Sequence, residues 1–333
     1  MQVSVVIPAY RVKATVQRAV RSACRQKEVA EVIIVEDGSG DGTWEVCQRL
    51  AAEDRRIKAV QHEGAANRGA GASRNLGMGM ARSPFLAFLD ADDHYALDRF
   101  SNDRKVFEAH PDADGVYNAV LAQFEDEAAR SIFLDRFHRP LTTVWKQCPP
   151  KSLFRGLVGL VPGFGGFHLD GLTLKRCILH NMDPWFRTDL RLHQDTDFIF
   201  RLAHCTRLYG GLLDTEVAYR SIHATNRITS GTDLHASRTL LFQQLLQWSS
   251  HSDVERDIRR HFGTSYFQHA FASAPTLRAT LSLTAQAMGS PWVLRNHHVR
   301  EHMASAYFGK GSWLSRKLTV LSWWMTRSSK EAD

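Results

Sequence analysis

The sequence predicts an α/β fold with a Rossmann-like, mostly parallel sheet flanked by helices, followed by a helical C-terminal extension. Two observations lead to this prediction. Short apolar runs alternate with segments of helical periodicity over the first half of the chain, which is typical of a doubly wound sheet. Beyond residue 228 the strand-like runs end and helical patterns continue. We therefore expect a sheet-containing domain over residues 1–228 and a helical region over residues 229–333.

The predicted elements of the first half follow one another at short intervals. Strands are expected at residues 3–7, 32–35, 57–61 and 85–89, and helices at 12–25, 44–53 and 70–81. Pro8 is expected to end the first strand, because proline lacks the backbone N–H that a strand ladder uses. Further along, the pattern predicts a strand at 115–117, a helix over 197–203 and an amphipathic helix over 240–248.

The charge balance is basic, with 42 Lys and Arg against 35 Asp and Glu, a formal net charge of +7. Such a balance suits phosphorylated substrates, anionic membranes or nucleic acid. The chain has no long basic run with interleaved aromatic residues, so we expect no nucleic-acid partner. No apolar run approaches the roughly 18 residues that a membrane-spanning helix needs.

The cysteines and the N-terminus indicate the compartment. Five cysteines are scattered along the chain without a C-x-x-C pair, so neither a zinc site nor a disulfide framework is expected. The first eight residues contain no basic leader and no small-residue cleavage site, which argues against a signal peptide. Together these features predict a reduced, cytoplasmic protein.

The most informative stretch is the apolar run 85–89, which ends abruptly in Asp90, Ala91, Asp92 and Asp93. In open α/β sheets, ligands bind at the carboxyl ends of the strands. Carboxylates this close repel one another unless a cation or solvent offsets them. A divalent metal that holds a substrate diphosphate is one interpretation. An acidic turn or helix N-cap is the other, because aspartate favours both.

Six segments carry a family resemblance. They are residues 4–10 (SVVIPAY), 35–39 (VEDGS), 67–77 (NRGAGASRNLG), 89–93 (LDADD), 194–198 (QDTDF) and 219–223 (YRSIH). In this order they resemble the family 2 glycosyltransferases, whose nucleotide-sugar-binding fold is called GT-A, over residues 1–230. The resemblance implies inverting transfer of a single sugar from a nucleotide-diphosphate sugar, UDP-linked in many members, to a hydroxyl acceptor. It further implies a place in cell-envelope or exopolysaccharide glycan synthesis, with a glycan or lipid-linked acceptor.

The resemblance also implies a donor site. Pro8, Ala9 and Tyr10 would line the nucleoside pocket, with Tyr10 either stacking on the base or serving as a structural aromatic. Asp37 would accept a hydrogen bond from the uracil N3–H. Arg74 would either steady Asp37 or reach the nucleotide.

The same resemblance implies which residues would bind the metal and the donor sugar. Asp92 would bind Mn²⁺ or Mg²⁺ and the donor. Asp90 would contact the ribose or donor sugar and share the metal, and Ala91, between them, would also belong to the donor-binding site. His223 would complete the metal shell or touch the diphosphate, or else be structural. Asp93 is expected to be a local cap. The ion would stabilise the departing diphosphate.

Asp195 is the candidate general base. A hydroxyl is a poor nucleophile, and a carboxylate within hydrogen-bond reach takes its proton as the new bond forms. The alternative is that Asp195 is the N-cap of a helix that starts near Thr196. Asp197 is expected to be a cap or packing residue rather than the base.

Two departures from the family pattern leave other readings open. Glu36 stands where an aspartate is usual, and Gln194 stands where a glutamate is usual. Gln194 is the sole support for a non-catalytic sugar-binding module, which the unchanged Asp90, Asp92 and Asp195 contradict. A nucleotidyltransferase would instead need a glycine-rich basic loop at residues 8–10.

The C-terminal stretch 313–325 combines aromatic, apolar and cationic residues. Such a segment suits a peripheral position in a lipid headgroup layer, here the inner face of the membrane. Packing on the catalytic domain or a dimer contact would use the same residues. No pattern in the sequence indicates an oligomeric state.

Overall fold

The computed structural model describes residues 1–223, 234–274 and 276–308. It falls into two compact units, one within Met1–Thr232 and the other within Asp233–Asp333. The predicted boundary at residues 228 and 229 lies outside the described residues and stays a prediction.

The first unit contains the strands and seven α-helices among its described residues. The strands are β1 (Val3–Ala9), β2 (Val29–Glu36), β3 (Ile57–Gln61), β4 (Phe85–Phe88), β5 (His94–Tyr95), β6 (Gly115–Tyr117), β7 (Ala119–Phe124), β8 (Leu141–Thr142), β9 (Leu172–Lys175), β10 (Leu208–Gly210) and β11 (Glu216–Ile222). The helices are α1 (Val16–Cys24), α2 (Thr43–Glu53), α3 (Ala70–Met80), α4 (Ser101–Ala109), α5 (Glu127–Phe137), α6 (Pro150–Arg155) and α7 (Gln194–Cys205).

Seven strands form the main sheet in the order β10-β6-β9-β4-β1-β2-β3. All neighbouring pairs are parallel except those of β9, which runs antiparallel to β4 and β6. Strands β1, β2 and β4 lack polar alternation because helices cover both faces of a parallel sheet. Val5 and Val6, which point to opposite faces of β1, are both fully buried. The predicted Rossmann-like, mostly parallel sheet is confirmed.

Strand β1 continues through Pro8 to Ala9, so the prediction that Pro8 ends it is wrong. Pro8 pairs with Val35 of β2, whereas the ladder with β4 ends at Val6. Because no strand residue pairs with Pro8 on the β4 side, its missing N–H leaves the ladder intact. The extension places Ala9 beside the end of β2.

A second, four-stranded sheet has the order β5-β11-β7-β8. Strand β11 pairs in parallel with β7 and antiparallel with the short β5. Because β5 directly follows the acidic segment 90–93, this sheet brings β11 next to those carboxylates. The sequence analysis did not predict this sheet.

The second unit is helical in its described residues, as predicted. It comprises α8 (His235–Ser250), α9 (Arg256–Ser273), α10 (Leu277–Met288), α11 (Pro291–Arg295) and α12 (His297–Phe308). Helix α8 confirms the helix predicted over 240–248 and buries Leu241, Leu245 and Ser249, but its apolar residues are not confined to one face, so the predicted amphipathic character is wrong. Phe267 and Phe271 of α9 form the centre of a small core in this unit.

Within the described part of the chain, no helix combines the length and the apolar character needed to cross a membrane. The segment 313–325 lies outside the described residues, so its predicted membrane contact is not addressed by the structure. The five cysteines are free thiols.

Candidate active site

The acidic segment 90–93 follows β4 near the middle of the main sheet. Asp90, Asp92 and Asp93 each offer a carboxylate oxygen, and these oxygens lie within 4.8 Å of one another. Burial and the neighbouring charge of Asp90 raise the pKa of Asp92. Crowded carboxylate oxygens are the donors that Mg²⁺ and Mn²⁺ prefer. The donor set therefore fits a divalent cation.

Asp93 has a structural contact of its own. It is 2% exposed, and its Oδ1 accepts a hydrogen bond from the backbone N–H of Ser221 at 2.8 Å. Burial, together with the charges of Asp170 and Asp92, raises the pKa of Asp93 well above its usual range. Asp93 thus joins the acidic segment to β11, whereas the Asp90 side chain is 29% exposed and accessible to a ligand.

The backbone of the acidic segment is held from two sides. The carbonyl of Asp92 accepts hydrogen bonds from Nη2 of Arg18 at 2.6 Å and from Oγ of Ser221 at 2.7 Å. The same Arg18 nitrogen donates to Oγ of Ser221 at 2.8 Å. Helix α1 and strand β11 therefore fix the main chain that carries the Asp92 carboxylate, which is the kind of support a functional site needs.

Arg74 of α3 points into the site rather than into solvent. Its side chain is 5% exposed, and Nη2 donates to Oδ1 of Asp90 at 2.6 Å. The guanidinium carbon lies 5.4 Å from the centre of the Phe186 ring. Nε and Nη1 of Arg74 are buried and have no hydrogen-bond partner among the described residues. Arg74 thus pairs with Asp90, not with Asp37, and keeps donors available for a ligand.

Asp37 directly follows β2 and holds the segment that leads into α3. Its Oδ1 accepts from the backbone N–H of Arg68 at 2.7 Å, and its Oδ2 from that of Gly69 at 2.8 Å. Gly69 has φ +89°, and a Cβ there would come within 2.8 Å of a guanidinium nitrogen of Arg191. Each of these carboxylate oxygens has a second lone pair and can accept another hydrogen bond. The predicted hydrogen bond from the uracil N3–H to Asp37 stays a prediction.

Glu36, the first departure from the family pattern, has a structural role in the turn after β2. Its side chain turns into the following loop, where Oε1 accepts from the N–H of Ser39 at 2.7 Å and Oε2 accepts from Nε2 of Gln61 at 2.6 Å. Glu36 is 1% exposed. The longer side chain therefore caps the turn that positions Asp37.

The predicted nucleoside pocket lies at the end of β1. Ala9 is buried, and its carbonyl accepts from the N–H of Asp37 at 2.8 Å. Tyr10 is 40% exposed, and the Arg11 guanidinium lies 5.3 Å from its ring centre. Pro8 is partly buried beside them. The residues are brought together, and their contact with a nucleoside stays a prediction.

Asp195 lies in the first turn of α7, which begins one residue earlier at Gln194. His193, with φ +62°, occupies the N-cap position. The alternative that Asp195 is the N-cap is therefore wrong. Burial raises the pKa of Asp195, but the charges of Arg74, His168 and Arg220 and the hydrogen bond from the Thr196 N–H together outweigh burial and lower that pKa. The carboxylate is therefore ionised at neutral pH, as a general base must be.

Asp197 is a packing residue, as expected. It is fully buried and accepts hydrogen bonds from Nη2 of Arg201 at 2.6 Å and from Nε of Arg187 at 3.2 Å. Arg201 in turn donates to the carbonyls of Pro184 and Trp185. This network holds the loop before α7 against the helix.

Gln194 connects α7 to the start of α3. It is 7% exposed, and its Oε1 accepts from the backbone N–H of Gly71 at 3.2 Å. The usual glutamate would offer the same acceptor with a negative charge. Glutamine keeps the hydrogen bond that α3 needs at its N-terminus.

Sequence reasoning missed His168 and Asp170. Oδ1 of Asp170 accepts from the N–H of Asp90 at 3.1 Å, and Nε2 of His168 lies 4.0 Å from Oδ2 of Asp90. Burial raises the pKa of Asp170, but His168, 3.3 Å away, and the hydrogen bonds from Asp93 and from the N–H of Asp90 together outweigh burial and lower that pKa. Both residues lie about 80 positions beyond Asp90 and carry no motif, so no local signal points to them.

His223 follows the last residue of β11 and is partly buried. Two clusters of three potential metal ligands occur among the described residues, Asp90 with Asp92 and Asp93, and Asp93 with His168 and Asp170. His223 belongs to neither cluster. Its predicted role at the metal stays a prediction.

Comparison with known proteins agrees with this geometry. Residues 4–154 match the family model described as Glycosyl transferase family 2. The chain is 28% identical over 282 residues to the succinoglycan biosynthesis protein ExoU of Rhizobium meliloti, covering 78% of this chain and 74% of ExoU. It is 33% identical over 230 residues to the putative glycosyltransferase EpsH of Bacillus subtilis, covering 67% of this chain but only 62% of EpsH.

The fold has solved counterparts. The crystal structure of S. aureus TarS 1-349 in complex with UDP-GlcNAc superposes with a TM-score of 0.60 at 17% identity, covering 100% of this chain and 92% of that one. Fold and site together define a GT-A glycosyltransferase. The chain belongs to glycosyltransferase family 2.

Proposed function

We propose that the protein transfers a single sugar, with inversion, from a UDP-linked sugar to a hydroxyl group of a glycan or lipid-linked acceptor in exopolysaccharide or cell-wall glycan synthesis. ExoU is named for succinoglycan biosynthesis, and TarS has been crystallised with UDP-GlcNAc. The name of ExoU supports a role in exopolysaccharide synthesis, and the TarS complex supports a nucleotide-sugar donor.

One observation carries the proposal. Arg74 hydrogen-bonds Asp90 of the acidic segment, and its charge also lowers the pKa of Asp195. A carboxylate suited to bind the donor and a carboxylate suited to accept a proton therefore lie within reach of the same cation. Sugar transfer needs both functions side by side.

Asp92 and Asp90 would hold Mn²⁺ or Mg²⁺. When bound, such an ion supplies Lewis-acid stabilisation to the leaving diphosphate. The chain prepares the ligands itself, because Arg18 and Ser221 fix the backbone of Asp92 and Arg74 orients Asp90. The unused donors of Arg74 are suited to an anionic oxygen of the donor.

Asp195 takes the proton of the acceptor hydroxyl as its oxygen attacks the anomeric carbon. The attack comes from the side opposite the nucleoside diphosphate, which inverts the anomeric configuration. Asp37, Pro8, Ala9 and Tyr10 receive the nucleoside, and Ala91, only 3% exposed, keeps the chain compact between the two aspartates.

The test is nucleotide binding followed by thermal unfolding. UDP, GDP, CDP and ADP are each added with Mn²⁺ or with a chelator to the wild type and to Asp92→Ala. We expect UDP to raise the melting temperature of the wild type only with Mn²⁺, because a ligand stabilises the state that binds it. Asp92→Ala should lose that rise.

Asp214→Ala, at an exposed aspartate before β11, is the matched control and should keep the rise. If UDP raises the melting temperature equally with Mn²⁺ and with the chelator, and equally in the wild type and in Asp92→Ala, the proposed donor site is overturned. Stabilisation by another nucleotide in place of UDP would overturn the donor class.

A further inference from the structure

A cavity of about 330 Å³ opens on α1, and none of its lining residues is one assigned to the donor. We call it the α1 cavity. Its lining includes Arg18, Arg21, Arg25, His94, Tyr95 and Leu97. The volume is at the lower end of the range that small-ligand sites occupy. Neither the family comparison nor the proposed reaction gives it a role.

The charge of the α1 cavity is uniformly positive. Arg18 and Arg21 of α1 and Arg25, its C-cap residue with helical backbone angles, follow one another at spacings of three and four residues, so they lie on one side of the helix. None of the residues that line the cavity is acidic. The guanidinium groups of these three arginines supply the positive charge.

Gln26 and Ser22, two polar residues that line the cavity, already form hydrogen bonds within the protein. Nε2 of Gln26 donates to the carbonyl of Ala96 at 2.9 Å, and its Oε1 accepts from the N–H of Arg99 at 3.0 Å. Oγ of Ser22 accepts from the N–H of Tyr95 at 3.0 Å. These bonds fix the chain around the cavity, so the cavity is formed before any ligand arrives.

The arginines have donors to spare. Arg21 is exposed, and its ion pair with Glu53 is long, at 3.7 Å between Nη2 and Oε2, so it is weak. Arg18 uses Nη2 on the acidic segment, and a guanidinium has five N–H donors in total. A guanidinium cluster of this kind matches the oxygens of a phosphate group.

We propose that the α1 cavity binds a phosphate group, as a site separate from the donor site. Leu97, which is 81% exposed, adds an apolar contact at the cavity. The phosphate can come from a small soluble compound or from the headgroup of an anionic lipid. In either case Arg18 connects the bound phosphate to the backbone of Asp92.

The experiment compares three full-length proteins: the wild type, the double variant Arg21→Gln/Arg25→Gln, and the control Arg130→Gln/Arg207→Gln. The control removes two exposed arginines elsewhere in the first unit, so it changes the net charge equally. Pyrophosphate binding is measured by calorimetry with EDTA, which removes metal from the donor site. We expect the double variant to bind about tenfold more weakly or worse, and the control to match the wild type.

A second arm identifies the source of the phosphate. Vesicles of phosphatidylcholine, with and without phosphatidylglycerol, are sedimented with the same three proteins. Loss of pyrophosphate or phosphatidylglycerol binding in the double variant alone supports the site and shows which source it takes. Equal binding by all three proteins, or no binding of either probe by the wild type, overturns it. The UDP-dependent melting shift of the double variant is measured in parallel, so failure here is distinguishable from failure of the donor site.

Discussion

Nη2 of Arg74 donates a hydrogen bond to Oδ1 of Asp90 across 2.6 Å, from a side chain that is almost fully buried. The bond joins helix α3 to the acidic segment after β4. It also places a positive charge where it lowers the pKa of Asp195. Two carboxylates with different proposed tasks therefore depend on one arginine.

Replacing Arg74 should change both the rate and its pH dependence. In Arg74→Gln, Asp195 loses a cation that favours its ionised form, so its pKa rises and the acid limb of the kcat/KM profile moves to higher pH. Asp90 also loses its partner, and we expect kcat/KM at neutral pH to fall roughly 100-fold. The pH–rate profile is the measurement.

Arg82→Gln, at an exposed arginine just after α3, serves as its control and should keep the wild-type profile. An Arg74→Gln profile that is lower at all pH values but unshifted would contradict the electrostatic link to Asp195.

Asp195→Asn should separate chemistry from donor binding. The amide cannot accept a proton, so kcat should fall about 100- to 10,000-fold. The UDP-dependent melting shift should stay, because Asp195 has no assigned donor contact. The exposed Asp189→Asn provides a matched aspartate change six residues earlier. Retention of near-normal kcat in Asp195→Asn would remove Asp195 as the base.

Gln194→Met should destabilise the protein. The buried N–H of Gly71 would lose its acceptor, which costs about 1–3 kcal/mol in the free energy of unfolding. Gln194→Glu keeps an acceptor at the same place and should retain glycosyltransferase activity. Urea denaturation and activity assays check the pair. If Gln194→Met is as stable as the wild type, the hydrogen bond from Gly71 to Gln194 contributes nothing to the free energy of unfolding.

Glu31 should make stability depend on pH. It is 6% exposed and accepts from Nζ of Lys58 and Oγ of Ser4, each at 2.6 Å. Burial raises the pKa of Glu31, but these bonds outweigh burial and lower it. The stabilisation is therefore complete above the unfolded-state pKa, about 4.3, and is lost as pH falls through the lower folded-state pKa.

Glu31→Gln should lower the free energy of unfolding by about 1–3 kcal/mol at pH 7, and the difference should shrink below about pH 4. Urea denaturation at several pH values measures it. The exposed Glu53→Gln should change stability by no more than about 0.5 kcal/mol. A Glu31→Gln deficit that stays constant down to pH 3 would show that shape, not charge, is responsible.

The central strands were predictable because burial on both faces leaves long apolar runs, as in β1, β2 and β4. The four-stranded sheet was not, since β5 and β8 have two residues each and offer no periodicity. The end of β1 was mispredicted at Pro8. A proline disturbs a strand only where a neighbouring strand would accept a hydrogen bond from the missing N–H, and the sequence does not show which neighbour lies on that side.

The acidic site was predictable in part. Asp90 and Asp92 follow an apolar strand. Their position at the carboxyl end of that strand alone indicates the edge of the sheet where ligands bind. The partner of Arg74 was not predictable, because helix periodicity does not tell which distant carboxylate a buried arginine meets. His168 and Asp170 reach Asp90 from a segment without a motif, and only the tertiary fold brings them together.

The most direct test of the central claim follows the slow hydrolysis of UDP-α-glucose, UDP-α-galactose and UDP-α-GlcNAc by proton NMR, with Mg²⁺ and water as the acceptor. With at least one of these donors, we expect UDP and a free sugar that appears first as the β-anomer. We expect no reaction in EDTA or in Asp92→Ala. A sugar that appears first as the α-anomer would contradict the inverting mechanism. Release of a sugar 1-phosphate with UMP would contradict glycosyl transfer itself.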